Sequence, residues 1–389
     1  MIIRTATEEV KLLAKQFKAI AIVGPRQSGK TTLARHVFAN KPYVSLENPD
    51  IRQFAMDDPR GFLEQYPTGA IFDEAQRVPE LFSYLQQVLD ESSEKGQFIL
   101  TGSNNFLLQE NISQSLAGRI AYLYLLPFSV EEAEKAIGRP QTIEDVMYQG
   151  GYPPIYDNQV APERWLPNYI RTYIERDVRQ IKNISNLNVF ERFLKLCAGR
   201  TGQLLNMNSL AIEAGIDSKT IASWLSVLES SFIIHLLKPH HQNFNKRLVK
   251  MPKLYFYDTG LACSLLGITK ATQLTLHPLK GNLFENFVVG ELVKERFNKN
   301  LPLNLYFWRD STGNEVDIII DEGTALFPVE IKAGKTITSD YFKNFQFWNK
   351  ITGTTEGAVI YAGDALQKRS NGITVVPWNN TKLLLQEKG

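Results

Sequence analysis

Gly24-Pro25-Arg26-Gln27-Ser28-Gly29-Lys30-Thr31 fits the pattern G-x-x-x-x-G-K-[ST] at every fixed position, and Thr32 continues it. Such a loop works through its backbone. The glycines let successive N–H groups curl toward anionic oxygens, and the start of the following helix adds a favourable dipole. The spacing points to a phosphate site in which Lys30 reaches the β- and γ-phosphates of ATP and the Thr31 hydroxyl ligates Mg²⁺. Ala70-Ile71-Phe72-Asp73-Glu74 supplies the complement. An apolar strand would carry Asp73 to its carboxyl end, where it holds the Mg²⁺ of ATP through water. Glu74 would then polarise the attacking water. Gln76 and Arg77 extend this site or are solvated residues at a helix start. Ser103 and Asn104 follow another apolar run and are candidates for sensing a γ-phosphate, although Ser103 also fits a simple helix cap. Arg119 is a candidate arginine finger, in cis or toward a neighbouring copy, against the alternative of an ordinary surface arginine.

Strands must place these residues at one edge of a sheet. Apolar runs at Ala19–Val23, Tyr43–Leu46, Gly69–Phe72, Phe98–Leu100 and Ile120–Leu126 read as strands, and the segments between them read as helices. Gly29–Phe38 and Pro79–Leu89 are the clearest of those helices. This alternation predicts βαβ crossovers and a mainly parallel sheet with helices on both faces. From Ser129 to about Lys182 the pattern is helical, interrupted at Gly150-Gly151-Tyr152-Pro153-Pro154 by a turn or domain joint.

Residues 209–216 and 217–229 read as helix, turn, helix, with Gly215 at the turn and Ile221, Trp224, Leu225 and Leu228 as an apolar stripe. Strand-like runs at Phe232–Leu237 and Lys253–Tyr257 follow, a winged-helix layout. Between Glu229 and Asp258 no residue is acidic, while Lys238, Lys246, Arg247, Lys250 and Lys253 are basic. Lys246, Arg247, Lys250 and Lys253 therefore form a basic wing that could contact DNA phosphates, against the alternative of a lid or assembly surface. His240 and His241 have no partner ligands in sequence.

Farther on, Glu315–Ile320 and Ala325–Lys332 read as a hairpin. With Glu322-Gly323 as a two-residue turn, 321 faces 324 and 317 faces 328, so Asp317 shares a face with Glu330 and Lys332. Pro328 then requires an edge strand or a bulge. Asp with Glu-x-Lys on one face resembles the PD-(D/E)XK nucleases. That resemblance implies a second metal site at Asp317 and Glu330, a lysine that activates water, and an upstream acid at Glu285 on the helix from Leu283 to Phe297. The bland alternative is an exposed polar hairpin.

Gly24–Thr31, Ile71–Gln76, Leu100–Asn104, Leu116–Arg119 and Pro127–Ser129 together resemble a prokaryotic AAA-type ATPase family with a largely uncharacterised C-terminal domain. Gly150–Pro153, Tyr255–Leu261, Gly313–Asp317 and Val329–Lys332 resemble its later parts. The resemblance implies ATP binding and names no biological task.

Composition sets the bounds. The chain has 389 residues, 43% hydrophobic and 22% charged, as in an ordinary globular protein. The net charge of +2 singles out no partner. Two cysteines cannot build a disulfide framework or a zinc site, and no apolar run reaches the ~18 residues that span a bilayer. The charged start reads as a short helix rather than a signal peptide, and the expected location is cytoplasmic. The expected organisation is α/β: an AAA-type ATPase domain over 1–185, a winged-helix-like domain over 186–275 and a nuclease-like α/β domain over 276–389. The leading reading is an Mg²⁺-dependent ATPase whose nucleotide state moves the C-terminal half, with a homo-oligomer expected if Arg119 serves a neighbouring copy. The rivals are an ATP-dependent switch that binds DNA or a protein with negligible turnover, and an ATP-gated nuclease.

Overall fold

Ala19–Val23 has no polar side chain, and in the computed structural model it forms β1, buried along its whole length. The structure describes residues 2–103, 112, 114–138, 141–173, 187–241 and 248–385. They fall into two compact units, the first comprising 1–128, 230–232 and 296–301, the second 129–229, 233–295 and 302–389.

In the first unit β1 is flanked by β2 (Tyr43–Ser45), β3 (Ile71–Asp73), β4 (Phe98–Gly102) and β5 (Ile120–Tyr124). The order is β2-β3-β4-β1-β5, and every neighbouring pair is parallel. Residue alternation splits the core between two faces. Ile20, Ile22, Ile71 and Ile99 pack with Val10 and Leu13 of the helix Thr7–Gln16 and with Leu33 of the helix Lys30–Val37. Phe72 instead stacks on Phe98 at 5.5 Å and packs on Phe62 of the helix Pro59–Glu64 at 5.4 Å.

Arg4, read from sequence only as part of a charged lead-in, is 6% exposed. Its guanidinium donates to Ser28 O at 2.6 Å and to Leu126 O at 2.7 Å, and lies 4.9 Å from the Phe128 ring centre. A planar fork with several donors suits this bridging of two carbonyls. It ties the loop after β1 to the chain leaving β5.

In the second unit, helices Met207–Ala214 and Ser218–Ser230 meet at Gly215, whose φ of +75° requires no side chain. Ile221, Trp224, Leu225 and Leu228 are buried, as their spacing requires. β6 (Gln203–Leu204), β7 (Ile234–Leu237) and β8 (Lys253–Phe256) form an antiparallel sheet ordered β6-β8-β7. A second sheet has the order β13-β14-β12-β11-β10-β9. Its strands are β9 (Leu305–Arg309), β10 (Glu315–Asp321), β11 (Leu326–Lys332), β12 (Gly357–Tyr361), β13 (Gln367–Lys368) and β14 (Ile373–Pro377).

The hairpin of β10 and β11 differs from its sequence-based register. Asp321 pairs with Leu326, so four residues connect the strands instead of two. Glu322 N donates to Ala325 O at 3.0 Å, and Gly323, at φ +79°, donates its N–H to Asp321 Oδ1 at 2.8 Å. These bonds close a longer turn, and the register slips by two, which keeps every side chain on its expected face. Pro328 is in neither an edge strand nor a bulge. It pairs with Ile319 inside the sheet, and the ladder to β12 begins one residue later, at Val329.

The Gly150-Gly151 joint also has a physical basis. Gly150 has φ +67° and ψ −163°, a region essentially restricted to glycine, and a Cβ there would lie 2.2 Å from Asp258 Oδ1. Gly151 N donates to Asp258 Oδ2 at 2.7 Å, while Asp258 Oδ1 caps the helix Thr259–Leu265 through Leu261 N at 3.0 Å.

Replacing Arg4 with Met removes both bridging bonds and strands two carbonyls. The expected cost is about 3 kcal/mol, read as a lower urea midpoint for the N-terminal unit. An unchanged midpoint would show that the bridge contributes nothing.

Candidate functional site

Strand register gathers the candidate residues. Ile22 pairs with Thr101 and Thr101 with Asp73, so the carboxyl ends of β1, β3 and β4 lie level. The Gly24–Thr31 loop leaves one end, Asp73-Glu74 another, and Ser103 the third. Open α/β sheets bind ligands outside this edge. Gly24 is obligatory because a Cβ would meet Leu125 O at 2.1 Å. Gln27 at φ +61° and Gly29 at φ +93° carry the left-handed turns that curl the loop. Pro25 and Ser28 are buried, Arg26 is half-buried, and Thr32 is exposed on the first helical turn.

Lys30 is 6% exposed, and its Nζ donates to Gly24 O at 3.0 Å and Pro25 O at 2.8 Å. Burial lowers its pKa to about 8, against the pull of the Glu74 and Asp73 carboxylates. Asp73 is held by three hydroxyls. Thr31 Oγ1 donates to Oδ1 at 3.0 Å, Thr101 Oγ1 donates to the same oxygen, and Tyr43 OH donates to Oδ2 at 2.8 Å. Burial and then the Asp73 bond push the Tyr43 phenol up to about 12, so it stays a donor. A carboxylate and a threonine hydroxyl in contact are hard oxygen ligands suited to Mg²⁺.

Glu74 has φ +54°, a left-handed conformation that costs a non-glycine residue of order 1 kcal/mol or more. Its Oε2 accepts from Ser103 Oγ at 3.0 Å and from the Gln76 amide. Gln76 is therefore no solvated helix-start residue; it is 9% exposed and bonded to the carboxylate beside it. Arg77 pairs with Glu47 at 3.1 Å. Asn104 lies outside the described residues.

Arg119 is not brought to this edge. It precedes Ile120, which pairs with Ala19 at the amino end of β1, about 16 Å of strand from the loop. Its guanidinium is bound to Asp90 at 2.5 and 2.9 Å, so it does not serve its own chain's site as a finger. Sequence reading gave no role to Thr101, just past a predicted strand, or to Tyr43, inside one. The signal for Thr101 was its place at the end of the strand facing Asp73.

The second predicted cluster is also drawn together, with an added member. Continuing the hairpin register sets Asp317 opposite Glu330, and Asp317 Oδ2 accepts from Ile331 N at 2.7 Å. Lys332 Nζ lies 2.6 Å from Glu330 Oε2 and 3.5 Å from Asp317 Oδ2. Glu285, on the helix Lys280–Asn298, meets Lys253 Nζ at 2.8 Å and accepts from Tyr255 OH at 2.5 Å. The same ammonium lies 2.5 Å from Glu315. Lysine ammonium groups thus lie against these carboxylates, Lys332 on Glu330 and Lys253 on Glu285 and Glu315. Among the described residues no group of three His, Cys, Asp or Glu side chains is arranged to hold a metal ion.

Lys253 is thus no DNA-facing wing residue. It is 2% exposed, because β8 points it inward to the two glutamates. Lys250 is exposed, and Lys246 and Arg247 lie outside the described residues. The base of the basic loop is itself paired: His240 N donates to Phe307 O at 2.7 Å and Val249 N to Arg309 O at 3.1 Å, both on β9. Among the described residues no helix is long and apolar enough to cross a membrane.

Comparison with known proteins divides the chain in three. Residues 140–272 and 280–381 match two domains of unknown function, DUF8612 and DUF4143. An uncharacterized protein of Mycobacterium tuberculosis is 28% identical over 378 residues, 96% of this chain and 83% of that protein. One of Methanocaldococcus jannaschii is 24% identical over 343 residues, 80% of this chain and 74% of that protein. Among solved structures, the Walker-type ATPase of Pyrococcus abyssi has a TM-score of 0.46 at 15% identity, covering 67% of this chain and 94% of its own. The ORC2 protein of Aeropyrum pernix, in its ADP form, has a TM-score of 0.35 at 16% identity, covering 59% and 86%. Residues 16–134 match the AAA domain family, and with both Walker elements at the carboxyl edge of a parallel sheet they form an AAA-type P-loop domain.

Proposed function

We propose that this chain is an Mg²⁺-dependent ATPase whose nucleotide state is coupled to a C-terminal half that acts on DNA. The convergence of Lys30, Thr31 and Asp73 at one sheet edge carries the ATP reading. In it, the loop N–H groups and Lys30 bind the phosphates, and Thr31 and Asp73 hold the metal. Mg²⁺, when bound, neutralises charge on the β- and γ-phosphate oxygens. Glu74 orients the attacking water, and Ser103, bonded to Glu74, links that carboxylate to the end of β4.

A second reading, a switch with negligible turnover, is favoured by one observation: Glu74 is engaged by both Ser103 and Gln76. A carboxylate so held must release a bond before it can orient water.

For the C-terminal half, the helix pair at Gly215 with the sheet β6-β8-β7 supports a winged-helix-like segment over 186–275. The common face of Asp317, Glu330 and Lys332 supports a nuclease-like fold over 276–389. Cleavage is not part of this proposal. DNA contact is drawn to the groove of about 820 Å³ lined by Lys238, His241 and Lys250, whose acidic member is Glu229.

Lys30→Ala should weaken ATP binding by at least about tenfold, measured with a fluorescent analogue. In the free protein the Lys30 ammonium loses its proton near pH 8, while phosphate binding requires the charged form. Affinity should therefore be flat below pH 8 and fall by up to about tenfold per unit above it, and the residual binding of Lys30→Ala should show no such fall.

Turnover separates the two readings. Glu74→Gln should keep ATP affinity and lose about 100-fold or more in kcat. If the switch reading holds, Gln76→Ala frees Glu74 and raises kcat; an ATPase already competent loses rate instead. DNA affinity should fall steeply with salt, and Lys250→Ala should flatten the log–log slope by about one. Salt-independent binding would remove DNA from the proposal.

A further inference from the structure

Asp73 divides its two oxygens between neighbours on opposite sides. In the order β2-β3-β4, Thr101 of β4 and Thr31 of the helix Lys30–Val37 both donate to Oδ1, while Tyr43 of β2 donates to Oδ2 at 2.8 Å. Backbone pairing sets Tyr43 opposite Ile71, two residues before Asp73 and therefore on the same face of the sheet. The long phenol side chain covers that offset. Arg35, on the same helix as Thr31, lies 4.9 Å from the ring centre and steadies it. Tyr43 is 38% exposed on the outermost strand, so it is no core residue, and its hydroxyl bond is what ties it to the site.

Thr31, which closes the phosphate loop, meets Oδ1, and Oδ2 is engaged from the sheet edge. A carboxylate fixed in this way offers a cation beside Thr31 one oxygen. Bidentate coordination needs both oxygens turned to one ion, and the Tyr43 bond would have to be given up for it. The distinction bears on which ion is accepted. Ca²⁺ takes about six to eight oxygens in irregular geometry and often uses both oxygens of a carboxylate. Mg²⁺ demands a near-octahedral shell and gives up its waters reluctantly, so one carboxylate oxygen suffices.

We infer that Tyr43 is a specificity-determining residue of the nucleotide site: by holding Oδ2 at the sheet edge, it makes Asp73 a one-oxygen acceptor that favours Mg²⁺ over Ca²⁺. It acts through Asp73, as a positioning residue. The inference rests on the proposed role of Asp73 toward the Mg²⁺ of ATP.

The test is the affinity of the full chain for a fluorescent, non-hydrolysable ATP analogue, measured in saturating Mg²⁺, in saturating Ca²⁺ and in EDTA. The proteins are the parent, Tyr43→Phe and Asp73→Asn. Phenylalanine keeps the ring beside Arg35 and removes only the hydroxyl. Tyr43→Phe should raise the ratio of Ca²⁺-supported to Mg²⁺-supported affinity about tenfold, the scale of one hydrogen bond to a charged group. Its metal-free affinity should stay at the parent value. Asp73→Asn should remove most of the gain that either ion gives. An unchanged ratio in Tyr43→Phe, with the gain lost in Asp73→Asn, overturns the inference and leaves the ATP reading standing. So does a metal-free affinity that falls as far as the metal-supported ones, since Tyr43 would then only support the fold. If Asp73→Asn keeps the whole gain, Asp73 does not hold the metal, and the metal assignment and the inference fall together.

Discussion

The N-terminal site depends on keeping one carboxylate charged at the end of a buried strand. Ile71 and Phe72 are 1% and 0% exposed, and Asp73 follows them directly. A carboxylate there loses much of its hydration and must recover it from protein donors. Thr31, Thr101 and Tyr43 provide those donors from three different elements, so satisfying Asp73 also fixes how the helix Lys30–Val37, β4 and β2 meet. The register Ile22–Thr101–Asp73 is the same constraint expressed in backbone pairing. Tyr43 has the Arg35 guanidinium 4.9 Å above its ring, so the edge strand is engaged from both sides.

A similar logic joins distant segments of the second unit. Asp258 is 2% exposed and must bond with both oxygens. One caps the following helix and the other takes Gly151 N, which allows Gly150 and Gly260 to come so close that a Cβ on either would clash. Two stretches about a hundred residues apart, Gly150–Pro153 and Tyr255–Leu261, are therefore halves of one joint. Arg4 does the reverse in the first unit, where a single donor fork satisfies two carbonyls.

Periodicity and turn chemistry made much of this visible in the sequence. The strand Ala19–Val23, the Walker spacing and the stripe Ile221, Trp224, Leu225 and Leu228 follow from local rules that tertiary context did not override. The misreadings have a common cause. Lys253 reads from sequence as a wing residue, Arg4 as one charge of the N-terminal lead-in and Gln76 as either part of the site or solvated, yet each is nearly buried because a tertiary partner awaits it. No local pattern announces Asp90 to Arg119 or Glu285 to Lys253. The hairpin slip is instructive in another way: two residues of register were lost to a longer turn, but the period-2 alternation preserved the face, so the Asp317, Glu330, Lys332 grouping survived an incorrect turn.

The two acidic sites differ in the donors that satisfy them, and this difference governs what each can hold. Asp73 is bound by hydroxyls, which relieve its desolvation without cancelling its charge. Such hydroxyls can rotate, since each is both donor and acceptor. Glu285 and Glu315 are bound by an ammonium, which satisfies their oxygens and their charge together. A metal ion would have to displace a buried lysine, leaving that lysine without a counter-charge. Sequence motifs list the acids of both sites alike. The neutral or cationic character of the donors, which comes from tertiary contacts, is what tells the two apart.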